Sequence, residues 1–213
     1  MENEIEQKVS EDKEKKNIFW DQRKNIGFLR ALFLTVRDVL FSPGSFFDSI
    51  AGRKKDLNSV LFFMAIAVLS IIGSVISGPV LGVLFKKTVF MPTGLLLIPM
   101  LIFTVCLGPF FMVVSLYIAS GIIHFFAKIF KGAADFTETL NVLAFSSSAQ
   151  LFSLIPVIGG IIAFIWLIIV QGKGISRIHG ISLPKAFIVI ASPILIFGLF
   201  ALAVILTMLV FIR

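Results

Sequence analysis

The chain has a single cysteine, Cys106, so no internal disulfide and no thiolate metal cluster can form. Acids are equally scarce beyond the first quarter. After residue 56 only Asp135 and Glu138 remain, and the only histidines anywhere are His124 and His179. Two histidines and two carboxylates could hold a divalent cation. No tight H-E-x-x-H spacing accompanies them, however, and such loop residues are more often solvated, so no metal and no cofactor is expected. There is no glycine-rich phosphate loop and no acid–base pair inside an apolar stretch. The serines Ser146–Ser148 have no histidine at matching depth to activate them. These absences disfavour an enzyme. The first residues, MENEIEQKVSEDKEKK, carry no apolar stretch behind their charges. They read as a disordered cytosolic tail (residues 1–25), not as a cleavable signal.

What the sequence does contain is uncharged stretches of 29, 40, 34 and 27 residues, at Leu57–Phe85, Thr88–Ala127, Thr139–Gly172 and Ala186–Ile212. A helix needs about 20 apolar residues to cross a hydrocarbon core of roughly 30 Å. With 58% hydrophobic residues and a mean hydropathy of +1.03, the expected fold is an all-α polytopic membrane bundle. Five transmembrane helices are expected in a domain spanning residues 57–213. The first lies near Asn58–Leu81 and the second within Leu95–Phe126, punctuated by Pro99 and Gly108-Pro109. The third and fourth form a tight hairpin turning at Pro156–Gly160, with a re-entrant hairpin as the alternative. The fifth is Ala186–Phe211. Either form of the hairpin returns the chain to the same side. The net charge of +7 and pI near 9.8 do not point to nucleic acid, because Lys and Arg flank the spans. Sixteen of the 19 fall on the side of the N-terminus, which places that end in the cytosol and the C-terminus outside.

Residues 26–56 hold an amphipathic helix, Ile26–Leu40, and a basic linker. Ile26, Leu29, Phe33, Val36 and Leu40 recur at helical spacing, while Arg23, Arg30 and Arg37 recur every seven residues. The pattern suits a helix in the membrane surface with arginines reaching for phosphates, and equally one packed on the protein's own cytosolic end. Ser70, Ser74, Gly78 and Gly82 repeat every four residues along the first span, a stripe that lets another helix approach closely. Ser146, Gln150 and Ser153 form a polar seam on the third span, readable as packing glue or as a solute path.

Within Gly121–Ala186 stand, in order, Gly132, Phe136, Thr139-Leu140, Ala144-Phe145-Ser146, Ile155-Pro156, Ile158-Gly159, Ile165-Trp166, Gly174 and His179-Gly180. In that order and spacing the stretch resembles the Yip-type membrane domain of Ypt/Rab-interacting proteins and their prokaryotic relatives. Upstream, Phe41, Pro43, Phe46 and Phe47 fit the prokaryotic members. The resemblance implies five membrane helices, a cytosolic N-terminus and no catalytic residues. Eukaryotic relatives carry an Asp-Leu-Tyr-Gly-Pro motif linked to trafficking. Here Asp38-Val39-Leu40-Phe41 does not match it, so Rab binding is not carried over. The expected role is a non-enzymatic scaffold or adaptor in the plasma (inner) membrane. Its expected partners are the bilayer and another membrane protein or a second copy, and the alternative is a small transporter or channel subunit.

Overall fold

Without water in the bilayer core, an uncharged chain must satisfy its backbone internally, and helices do so within one segment. The computed structural model describes residues 18–54, 57–84, 99 and 107–211, and among these every regular element is helical. A 3₁₀ turn, Phe19–Gln22, and a helical turn, Arg23–Ile26, precede α1 (Phe28–Phe41) and α2 (Pro43–Ile50). The bundle proper comprises α3 (Leu57–Leu84), α4 (Gly108–Ile129), α5 (Phe136–Ser146), a 3₁₀ segment (Ser147–Leu154), α6 (Gly159–His179) and α7 (Leu183–Phe211). By length and apolarity α4 and α6 can cross a membrane, and the Leu57–Gly73 and Leu183–Leu195 parts of α3 and α7 are shorter apolar stretches.

The breaks have local causes. Gly27, at φ +88°, separates the Arg23–Ile26 turn from α1, so the amphipathic helix starts two residues later than its apolar spacing suggests. Pro43 opens α2 at a position where its missing N–H costs nothing. Pro109 likewise sits in the first turn of α4. Asp135 and Glu138 form a reciprocal capping box at the start of α5. Gly180, left-handed at φ +65°, closes α6.

The expected hairpin is present as α5, the 3₁₀ segment, a turn at 155–158, and α6. Its first arm is not a continuous α-helix. Eight residues of 3₁₀ are unusual, since runs beyond about four are uncommon. The hydroxyls of Ser147 and Ser148 bond the carbonyls three residues back, competing with the α-helical ladder where the arm changes type. Apart from Pro99, residues 95–106 of the expected second span fall outside the described residues. So do the surroundings of Ser74, Gly78 and Gly82 on α3, whereas Ser70 has a buried hydroxyl with no hydrogen-bond partner.

The core lies where α1, α2 and the Phe19–Gln22 turn pack on α3, α5 and α6. Edge-on rings run from Phe28 to Trp20 to Phe62, and Phe62 leads through Phe145 and Phe46 to Phe47, with centroids 5.0–5.4 Å apart. Such pairs add about 0.5–1.5 kcal/mol each beyond their buried area. Trp20 is fully buried, and its Nε1 donates to the Asn58 carbonyl at 2.7 Å. Residues 18–25, which the expected tail boundary at residue 25 includes, therefore belong to the packed body.

Helix α1 has two faces. Leu32, Val36 and Val39 are buried against the protein, while Leu29 and Phe33 are 75% and 68% exposed. The five-residue stripe expected from spacing is thus divided between two environments.

Candidate functional site at the charged end of the bundle

The residues of the Lys/Arg-rich end converge on two buried polar clusters. The first is built on Arg53. From sequence it belongs with Lys54 and Lys55 in a basic linker, yet it is only 2% exposed. Its Nη2 donates to Asp21 Oδ1 at 2.7 Å, and Asn58 Nδ2 donates to the same oxygen at 2.9 Å. The guanidinium lies 6.0 Å from the Phe145 ring centre, and its Nε and Nη1 have no hydrogen-bond partner. The Arg53 carbonyl accepts from Asn141 Nδ2, and Asn141 Oδ1 accepts from Ser59 Oγ. Glu138 joins the linker to α5. One carboxylate oxygen caps Asp135 N and the other accepts from Gly52 N at 2.6 Å. This cluster stitches the N-terminal segment, the linker, α3 and α5 together.

The second cluster centres on Thr139. Its Oγ1 lies 2.9 Å from His124 Nδ1 and 2.9 Å from His179 Nε2, and its proton is directed at the Asp135 carbonyl, 3.3 Å away. A hydroxyl has one proton, so Thr139 must accept from at least one of the two imidazoles. His179 Nδ1 is buried and has no hydrogen-bond partner. It faces Gly132, where a Cβ would come within 2.5 Å of it. The His179 carbonyl accepts from Ala133 N, fixing the loop after α4 to the end of α6. Replacing Thr139 by valine keeps the shape and removes the shared acceptor. The expected cost is roughly 1–3 kcal/mol for each imidazole left unpaired. Thermal unfolding in detergent should show a lowered Tm for Thr139→Val and a near-normal one for Thr139→Ser.

His124, His179, Asp135 and Glu138 are thus near one another but differently engaged. The acids cap a helix, and the imidazoles share a hydroxyl. Among the described residues no three His, Cys, Asp or Glu side chains are arranged to hold a metal ion. An open groove of about 430 Å³ lies alongside, between the Phe19–Gln22 turn and the α1–α2 corner. Gln22, Asp38, Ser42, Ser45 and Ser49 form its polar lining.

The arginines expected at a lipid surface separate in the structure. Arg23 turns inward, with Nη2 donating to Asn58 Oδ1 and its guanidinium 5.0 Å from the Trp20 ring centre. Arg30 is exposed, and Arg37 is half-exposed and paired with Asp38. Along the seam Ser146 is buried with an unpartnered hydroxyl, Gln150 is half-buried, and the exposed Ser153 donates to the Gln150 carbonyl. Because the backbone is 3₁₀ from Ser147, residues three apart eclipse, which aligns Gln150 and Ser153 with Ser147.

The positions that carried the resemblance are points of close approach. A Cβ on Gly174 would meet Val142 at 2.6 Å and the Phe47 ring at 2.9 Å. One on Gly159 would meet the Phe152 carbonyl oxygen at 2.2 Å. Trp166 Nε1 donates to the Leu40 carbonyl across the α6–α1 contact, and Phe136 stacks edge-on to His124. Pro156 occupies the hairpin turn. The Yip1 domain family model matches residues 37–205. The chain belongs to the Yip1 domain family. No curated protein and no solved structure matches it. The Yip1 domain is not an enzyme family, and its apolar helices fit a membrane protein. The match begins within α1, so Trp20 and Asp21, which complete the Arg53 cluster, lie upstream of it.

Arg53 is the main site residue that sequence reasoning missed. The available signal was Trp20, the only tryptophan of the charged head and adjacent to Phe19, which needs a core to enter.

Proposed function

We propose that this Yip1-domain protein is a non-enzymatic membrane scaffold or adaptor, with its charged end and N-terminus in the cytosol. The supporting observation is how the polar groups of that end are used. Asp135, Glu138, Asn141, Thr139 and both histidines are bonded to backbone or to one another in arrangements that fix helices, and the Thr139 hydroxyl that the imidazoles share is fully buried, out of reach of a substrate. What faces outward is the groove and the outer side of α1, surfaces suited to contact. The bias of Lys and Arg supports the orientation. A plasma (inner) membrane location accords with the resemblance to prokaryotic members, and the partners are the bilayer together with a membrane protein or a second copy.

A second reading, a small transporter or channel subunit, draws on the unpartnered Ser146 hydroxyl beside the half-buried Gln150. Crosslinking and mass spectrometry in native membranes separate the two. The scaffold should yield a discrete set of partners, and Gln150→Leu should leave that set unchanged. Failure to recover partners, together with solute flux in proteoliposomes that Gln150→Leu abolishes, would move the assignment to transport.

A further inference from the structure

The α5–α6 hairpin stops short of the outer ends of α3 and α7. A Cβ on Gly73 of α3 would run into Leu154, the residue just before the turn, so the tip of the hairpin stands level with Gly73. Helix α3 continues eleven residues farther, to Leu84, a rise of about 16 Å. Helix α7 does the same. Gly172 packs on Phe187, thirteen residues below the start of α6, so α7 draws level with the tip about thirteen residues after Phe187. It then has about eleven residues left before Phe211, again a rise of about 16 Å. Both extensions are uncharged.

The tip is itself apolar and uncovered. Val157 is 59% and Ile161 65% exposed, with Leu154, Ile155 and Ile158 also outside the core. A tip emerging into water would expose all of them, and two uncharged helix ends above them.

The third observation concerns α1. Trp166 lies seven residues into α6, about 10 Å from the tip, and its indole holds the Leu40 carbonyl. Arg37 and Asp38 sit within a turn of Leu40. If the hairpin crossed the whole bilayer, this ion pair and the α1 end would stand deep in hydrocarbon, where charges are costly. If the tip stops near the midplane, the same contact places α1 at the headgroup layer. Its exposed Leu29 and Phe33 then dip toward acyl chains, beside Arg30 and Arg37 at the level of anionic phosphates.

We infer that the α5–α6 hairpin is half-spanning: its tip ends inside the bilayer, and the outer face of α1 rests in the anionic headgroup layer on the charged side. The partner of both surfaces is lipid. Three segments cross fully, those containing α3, α4 and α7, and both termini keep their sides. The inference depends on membrane embedding and not on the adaptor role, so either can fail alone.

Depth-dependent fluorescence quenching tests it in the full-length protein. With Cys106 replaced by serine, Val157→Cys and Phe33→Cys are labelled separately and reconstituted in mixed phosphatidylglycerol–phosphatidylcholine vesicles. The lipids carry a nitroxide either near the headgroup or near the chain end. Quenching at Val157 should be several-fold stronger with the deep nitroxide, and at Phe33 with the shallow one. A full crossing reverses both preferences. Ile158→Cys provides a second tip position, should Val157 with its positive φ not tolerate change. Shallow quenching at the tip overturns the inference, whatever Phe33 reports.

Discussion

Arg53→Ala is expected to destabilise the protein by about 3–5 kcal/mol, the range for breaking a buried ion pair by removing one partner. Among the described residues the Asp21 carboxylate would keep only the Asn58 amide, and a gap would open beside the Phe145 ring. The cost reflects the charge left behind more than the strength of the pair. Two guanidinium nitrogens already lack partners, so the desolvation of Arg53 is incompletely offset. The double variant Arg53→Met with Asp21→Asn should therefore recover most of the loss, and could exceed the parent. Unfolding in detergent, followed by circular dichroism, gives both numbers. A single variant as stable as the parent would mean that Arg53 is not held inside as the structure shows.

Gly159→Ala is the second large effect. The added methyl would lie 2.2 Å from the Phe152 carbonyl oxygen and 3.0 Å from Ile155 Cβ. A backbone oxygen cannot rotate away as a side chain can, and Gly159 N also bonds the Ile155 carbonyl at 3.0 Å to close the turn. The expected loss is about 3 kcal/mol, the top of the usual range for overpacking. Gly160→Ala is the matched control, because a Cβ there meets nothing within 4 Å. It should be neutral or gain up to about 1 kcal/mol from helix propensity. Equal Tm values for the two variants would show that the turn is open.

Much of the helical framework was legible in the sequence, because an uninterrupted apolar run has no other solution in lipid. The hairpin turn at Pro156–Gly160 and the start of α5 at Asp135 could be read for local reasons, namely breakers and a capping pair. Arg53 could not, since its burial depends on Asp21, 32 residues away, and on a ring cluster assembled from five segments. The 3₁₀ stretch was equally hidden. Ser146–Ser148 hint at competition for backbone carbonyls, but nothing in the composition distinguishes i→i+3 from i→i+4 bonding. The faces of α1 were half legible. Periodicity identified an amphipathic helix, and only tertiary contact chose Leu32, Val36 and Val39 over Leu29 and Phe33 as the inward side.

The 3₁₀ segment Ser147–Leu154 also acts as a ruler. Eight residues rising about 2.0 Å each extend about 4 Å farther than the same eight in an α-helix. Each also advances about 120° around the axis instead of about 100°. Rewinding the arm would draw Leu154 back by most of a helical turn and swing it away from the notch at Gly73 into which it fits. Reach and azimuth of the hairpin tip are therefore set together by one choice of hydrogen-bond register.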